Sequence, residues 1–211
     1  MDYKTIAKNG ELTIEIKKSK FICQVQRIES EEEGQQFIRH IKKEHYKANH
    51  SCSAMIVGSD GLLKRSSDDG EPSGTAGIPM LNVLEKLELR NIVAVVTRYF
   101  GGTKLGTGGL IRAYSNSVSE TIKHLGIIER RHLHGLKITL SYQQYQIFSN
   151  FLNQENLQEY GTTFLDNITT FIYIEFDNIT NIIQKLTEFY NGKVTYQKSD
   201  SKIIEIPYIQ Q

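Results

Sequence analysis

The chain has 211 residues, 25 Lys+Arg against 24 Asp+Glu, and two cysteines. That length holds one large domain or two small ones, and Cys23 and Cys52, outside any C-x-x-C pair, exclude a disulfide framework and read as reduced thiols. No apolar run is long enough to span a bilayer, and Met1 to Lys4 lacks a secretory leader's charged-then-apolar pattern, so a cytoplasmic protein with no membrane partner is expected.

In chain order, Glu11–Lys17 and Phe21–Ile28 alternate apolar and polar residues, the period of half-buried strands, across a lysine-rich turn. Ser30-Glu-Glu-Glu33 then matches a capping box, and Phe37, Ile38, Ile41 and His45 give the following helix an inward stripe. Ser51–Gly58 reads as a strand and Leu62–Leu63 as a short further one. A glycine-rich segment, Arg65–Pro79, leads into a helix with Ile78, Leu81, Leu84 and Leu87 on its buried side and Pro79 in its opening turn. Asn91–Thr97 is almost wholly apolar, so it reads as a central strand covered on one face by helices. A second glycine-rich segment, Thr97–Leu110, precedes a helix from Leu110 to about Leu125, with Ile111, Tyr114, Val118 and Ile122 in register and Gly126 as its cap.

Beyond Ile127 glycine becomes scarce. The order becomes strand (about 133–141), helix (143–153), strands (157–165 and 169–176), helix (179–190) and strand (201–208). This βαββαβ order is the ferredoxin-like arrangement. The expected organisation is α+β, with domains at 1–131 and 132–211. Residues 1–131 carry 20 Lys+Arg and 16 Asp+Glu; residues 132–211 carry 5 and 8. The first domain is therefore the one that would face a nucleic acid.

The glycine segments carry the functional signal, since ten of the sixteen glycines lie between Gly58 and Gly109. Loops rich in glycine that feed a helix N-terminus expose N–H groups and positive dipole to an anion. Arg65, Arg98, Lys104 and Arg112 flank them. Arg112 sits in a first helical turn, where a cation needs an anionic neighbour. The expected anion-binding set is these four cations with Gly74, Thr75, Gly77, Gly101, Gly102, Gly106, Gly108 and Gly109. Tyr99 and Phe100 could stack on an unpaired base or pack in the core. Asp68, Asp69 and Glu71 could do acid/base or metal chemistry, or could shape the loop by pairing with Arg65 and Arg98; the latter is preferred. His45, His50 and Cys52 make a weak zinc set or a conceivable Cys–His pair, against the commoner fate of a buried core thiol. Neither a P-loop nor a dinucleotide-binding fingerprint is present, and no cofactor or metal is expected.

The runs Arg65–Pro79 and Val95–Tyr114, with Lys18–Phe21 and Ala48–Ala54, resemble the signature of the IMPACT family. The resemblance implies a ribosomal-protein-S5-domain-2-like fold for the first domain and a ferredoxin-like second domain. That pair is similar to the last two domains of the translocating elongation factor, which touch ribosomal RNA. Eukaryotic members regulate translation by competing for a ribosome-associated activator of a stress kinase with the help of an extra domain, so that partner is not carried over. The resulting expectation is a non-catalytic, translation-associated regulator that binds RNA or the ribosome through the glycine-rich basic face, with the C-terminal domain positioning that face or holding a protein partner. The alternative is an enzyme acting on an anionic or phosphorylated small molecule with Asp68, Asp69 and Glu71.

Overall fold

A computed structural model describes residues 2–208. The chain divides into two compact units, one running to Arg130 and rejoined from Glu205, the other Arg131–Ile204.

The first unit is built on a five-stranded antiparallel sheet. Its strands are β2 (Gly10–Ile16), β3 (Ser19–Arg27), β4 (His50–Val57), β5 (Leu63–Ser67) and β6 (Ile92–Tyr99), in the order β2-β3-β6-β4-β5. A short strand β1 (Tyr3–Ile6), unforeseen in the sequence, pairs instead with Ile127–Arg130 at the start of β7 (Ile127–Leu140). The three helices are α1 (Glu31–Glu44), α2 (Gly77–Lys86) and α3 (Gly106–Leu125). Successive side chains of a strand point to opposite faces. Val93 and Val95 therefore join Ile28, Met55 and Val57 under α1, while Ala94 and Val96 join Phe21, Cys23 and Cys52 under Met80 and Leu84 of α2 and Tyr114 and Val118 of α3. Helices thus cover β6 on both faces rather than one, which is why the strand is apolar at every position from Ile92 to Val96.

Local signals fix the helix ends. The Ser30 hydroxyl accepts from the Glu33 amide at 3.2 Å, but the Glu33 carboxylate reaches back to the amide of Glu29, one residue beyond the expected box. In α2 the inward stripe is Met80 and Leu84, with Pro79 also buried, while Ile78 is exposed. In α3 the helix begins four residues before Leu110, so glycines expected in a loop form its first turn, and Ile111 is exposed.

The second unit holds the remainder of β7, α4 (Tyr142–Glu155), β8 (Glu159–Phe164), β9 (Ile168–Ile174), α5 (Ile179–Phe189) and most of β10 (Thr195–Pro207). β10 pairs with β7, β7 with β9 and β9 with β8, so the strand order of the βαββαβ unit is 4-1-3-2, the ferredoxin-like one. Leu136, Ile138, Ile172 and Ile174 pack against Phe148, Phe151, Ile182 and Leu186 of the two helices. At α4 the capping box is complete, with Ser141 and Gln144 bonded reciprocally.

Candidate nucleic-acid interface

The two glycine segments fold to different ends. In the first, the Asp68 carboxylate turns inward and accepts three amides, from Gly74 at 2.8 Å, Ala76 at 3.0 Å and Gly77 at 2.8 Å. Partial burial pushes this carboxyl up, but the amides of Gly74, Gly77 and Ala76 outweigh it and hold it below the usual carboxylate range. Thr75 donates both its amide and its hydroxyl to the Pro72 carbonyl. The amides expected to meet an external anion at Gly74, Thr75 and Gly77 are therefore satisfied within the protein, and Asp68 supplies the cap that Ala76 cannot give α2.

Asp69 and Glu71 are engaged as well. Asp69 accepts from the Ser51 amide at 2.7 Å and from Lys42 of α1 at 2.6 Å. Glu71 is buried, and its Oε1 accepts from Arg98 Nη1 and from the Tyr114 hydroxyl, each at 2.8 Å. Burial first, then Cys52 and Glu71, raise the Tyr114 phenol far above its ordinary value. All three carboxylates thus shape the loop. His50 and Cys52 do the same without meeting each other: His50 Nδ1 lies 2.9 Å from the Asp69 carbonyl, and the Cys52 thiol donates to the Asp68 carbonyl at 3.0 Å. Burial pushes that thiol up to about 12, so it is no nucleophile at neutral pH. Among the described residues no three His, Cys, Asp or Glu side chains converge as metal ligands.

Of the four cations expected on one face, two are elsewhere or spoken for. Arg98 is buried beneath Glu71, with its guanidinium 5.4 Å from the Phe21 ring and 5.4 Å from the Phe100 ring. Arg65 pairs across β5–β4 with Met55, a residue of the α1-side core, and its guanidinium binds Glu31 of α1 at 2.8 Å; it lies on the opposite side of the sheet from α3. Tyr99 follows the same parity, its hydroxyl 3.0 Å from His45 Nδ1 at the end of α1. Strand phase decided these placements, and phase is invisible until the partner strands are known.

The second segment stays open. Gly101 sits hard against the β2–β3 turn, where a Cβ would fall 2.0 Å from the Lys18 carbonyl carbon, and its amide donates to the Ser19 hydroxyl at 3.2 Å. That contact holds Phe100, 45% exposed, and the loop to Leu105 beside the turn. α3 has no side-chain cap, and the amides of Gly106, Thr107 and Gly108 find no acceptor among the described residues. Gly102 and Gly106 need glycine for their positive φ; Gly108 has neither positive φ nor any neighbour within 4 Å of a built Cβ. A glycine there costs the helix about 1 kcal/mol relative to alanine, and what it leaves is a bare amide row. Lys104 and Arg112 are exposed and have no ion-pair partner among the described residues.

Beside this turn, between α2 and α3, runs a groove of about 900 Å³. Ile16, Val83, Leu87 and Leu105 floor it, Lys17, Lys86 and Arg112 line it, and no lining residue is acidic. Lys17 and Lys86 escaped the sequence reading. Their signals were a turn with three lysines between 17 and 20 and a lysine in the last turn of α2.

An S5-domain-2-like unit with an uncapped, cation-flanked helix N-terminus, followed by a ferredoxin-like unit, defines the class. Residues 17–122 match the Impact N-terminal domain and residues 138–193 a domain of unknown function, DUF1949. The chain is 42% identical to the IMPACT family member YvyE of Bacillus subtilis (strain 168), covering 99% of this chain and 94% of that one. It is 32% identical to the IMPACT family member YigZ of Escherichia coli (strain K12), covering 85% and 89%. A crystal structure of a hypothetical protein superposes with a TM-score of 0.60 at 29% identity, over 94% of this chain and 98% of that one. This protein belongs to the IMPACT family.

Proposed function

We propose that the chain is a translation-associated regulator that binds RNA of the ribosome through the turn at Gly102–Gly109 and the adjoining cations Lys17, Lys86, Lys104 and Arg112. The observation that carries this reading is the pairing pattern. In the first glycine segment Arg65 goes to Glu31, the amides of Gly74, Ala76 and Gly77 go to Asp68 and that of Thr75 to the Pro72 carbonyl. In the second, the amides of Gly106, Thr107 and Gly108 and the side chains of Lys104 and Arg112 have no partner among the described residues, beside a groove lined by no carboxylate. A phosphate chain supplies the anions such a row lacks. Family resemblance supports the link to translation. The rival reading as an enzyme loses its premise, because Asp68, Asp69 and Glu71 are each bonded within the protein.

The test is co-sedimentation with ribosomes. Lys104→Ala/Arg112→Ala should release the protein into the supernatant at salt concentrations where wild type pellets, while Arg65→Ala, on the other side of the sheet, should pellet as wild type does. Pelleting of the double variant with wild-type salt tolerance would reject the proposal.

A further inference from the structure

The ferredoxin-like unit presents a second surface, on the face of its sheet turned away from α4 and α5. Because Leu136, Ile138, Ile172 and Ile174 point to the helices, the alternate residues point away. Register brings Lys137, Phe171 and Tyr160 directly opposite one another across β7, β9 and β8. In the next row Tyr173 faces Gly135, and below lie Thr139, Thr169 and Thr163. A Cβ built on Gly161 would touch the Phe171 ring at 3.6 Å, and one on Gly135 the Tyr173 ring at 3.1 Å, so each ring leans over a glycine. Tyr173 is nearly buried, edge-on to Tyr160 at 5.3 Å, with Lys202 Nζ 5.5 Å from its ring centroid. Phe171 and Tyr160 remain partly exposed. None of the positions named on β7, β8 and β9 is acidic; on β10 the exposed Asp200, two residues before Lys202, adjoins them, with its carbonyl 2.7 Å from a Cβ built on Gly135. The carboxylate nearest in sequence, Glu159, is bound by Tyr145 of α4 and by the core-side Thr170.

We infer that this face binds single-stranded RNA, with unpaired bases stacked on Phe171 and Tyr160 and the backbone drawn by Lys137 and Lys202. Flat rings set among small neighbours fit planar bases, and each base has a π-face whatever its identity. Lys137 and Lys202, two of the 5 Lys+Arg that residues 132–211 carry against 8 Asp+Glu, have no ion-pair partner among the described residues and supply the complementary charge where the rings are. The inference adds a second contact of different chemistry to the reading above and uses none of its residues.

The experiment is fluorescence anisotropy of the full chain with a labelled ten-nucleotide oligouridylate and with an abasic chain of equal length. Wild type should hold the oligouridylate about a hundredfold more tightly than the abasic chain, about tenfold for each of the two stacked bases. Phe171→Leu, which keeps apolar bulk, and Tyr160→Leu should each cut that ratio about tenfold, whereas Lys104→Ala/Arg112→Ala, which removes phosphate contacts common to both chains, should weaken both affinities and leave their ratio intact. Equal affinity for the two chains, no binding of either, or a ratio lost only in the Lys104/Arg112 variant would overturn the inference. So would a Phe171→Leu variant that converts a dimer to a monomer with the ratio unchanged, which would mark the face as a contact between copies. Failure here leaves the ribosome reading to be judged by its own variant.

Discussion

Replacing Glu71 by glutamine tests whether the first glycine segment is architecture. The Glu71 and Arg98 side chains are 3% and 7% exposed, so the variant leaves a guanidinium in the interior with no counter-charge. Arg98 Nε already has no partner, and the guanidinium's remaining contacts, Ser19 Oγ at 3.4 Å and the Phe21 and Phe100 rings, bring no counter-charge. Orphaning one member of a buried pair costs about 3–5 kcal/mol, and glutamine, which keeps the volume and can still accept one hydrogen bond, should fall near the lower end. For a unit of this size that corresponds to a fall of roughly 10–15 °C in Tm, read by circular dichroism. The double variant Glu71→Gln/Arg98→Met removes the stranded charge as well as its partner. It should therefore be more stable than the two single effects added together, by about 2 kcal/mol or more. A Glu71→Gln variant that melts within about 3 °C of wild type, or a strictly additive pair, would refute the reasoning.

Three further outcomes follow from the same geometry. The folded-state pKa of Asp68 lies below its unfolded value, so its contribution is present above about pH 4 and is lost as pH falls through the folded value; Asp68→Asn should cost about 1–2 kcal/mol at pH 7, shrinking toward zero at pH 2 in urea titrations, and a pH-independent gap would contradict the assignment. Gly101→Ala should destabilise by about 1–3 kcal/mol because backbone must move, whereas Gly108→Ala should stabilise α3 by up to about 1 kcal/mol and yet weaken ribosome association, a divergence that melting and sedimentation together would expose. Burial pushes Cys23 and Cys52 each up to about 12, so neither thiol should react with a disulfide reagent at pH 8 until the chain is denatured; prompt labelling of the native protein would show the first unit to be looser than described.

The framework was legible where local chemistry governs it. Strand alternation found β2 and β3, Ser30 starts its helix, and Gly126 ends α3 with φ at +78°. What stayed hidden depends on partners distant in sequence. Arg98 reads as a loop-end cation until β6 brings it to Glu71, 27 residues away, and Arg65 reads as its neighbour until β5 pairs with β4 in the opposite phase. Gly106–Gly109 read as loop because glycine is a poor helix former, although a first turn tolerates it when the rest of a twenty-residue helix is held by Tyr114, Val118 and Ile122. Periodicity also set Ile78 and Ile111 inward, but both helices bury an adjacent stripe and leave these two exposed beside the groove.

The most direct test of the account is the salt dependence of binding to a ribosomal RNA fragment. Log K plotted against log salt should fall steeply for wild type. In Lys104→Ala/Arg112→Ala the slope should be shallower by about 1.4–1.8, the signature of two phosphates that the protein no longer neutralises. Parallel lines for the two proteins, or a flat line for wild type, would contradict it.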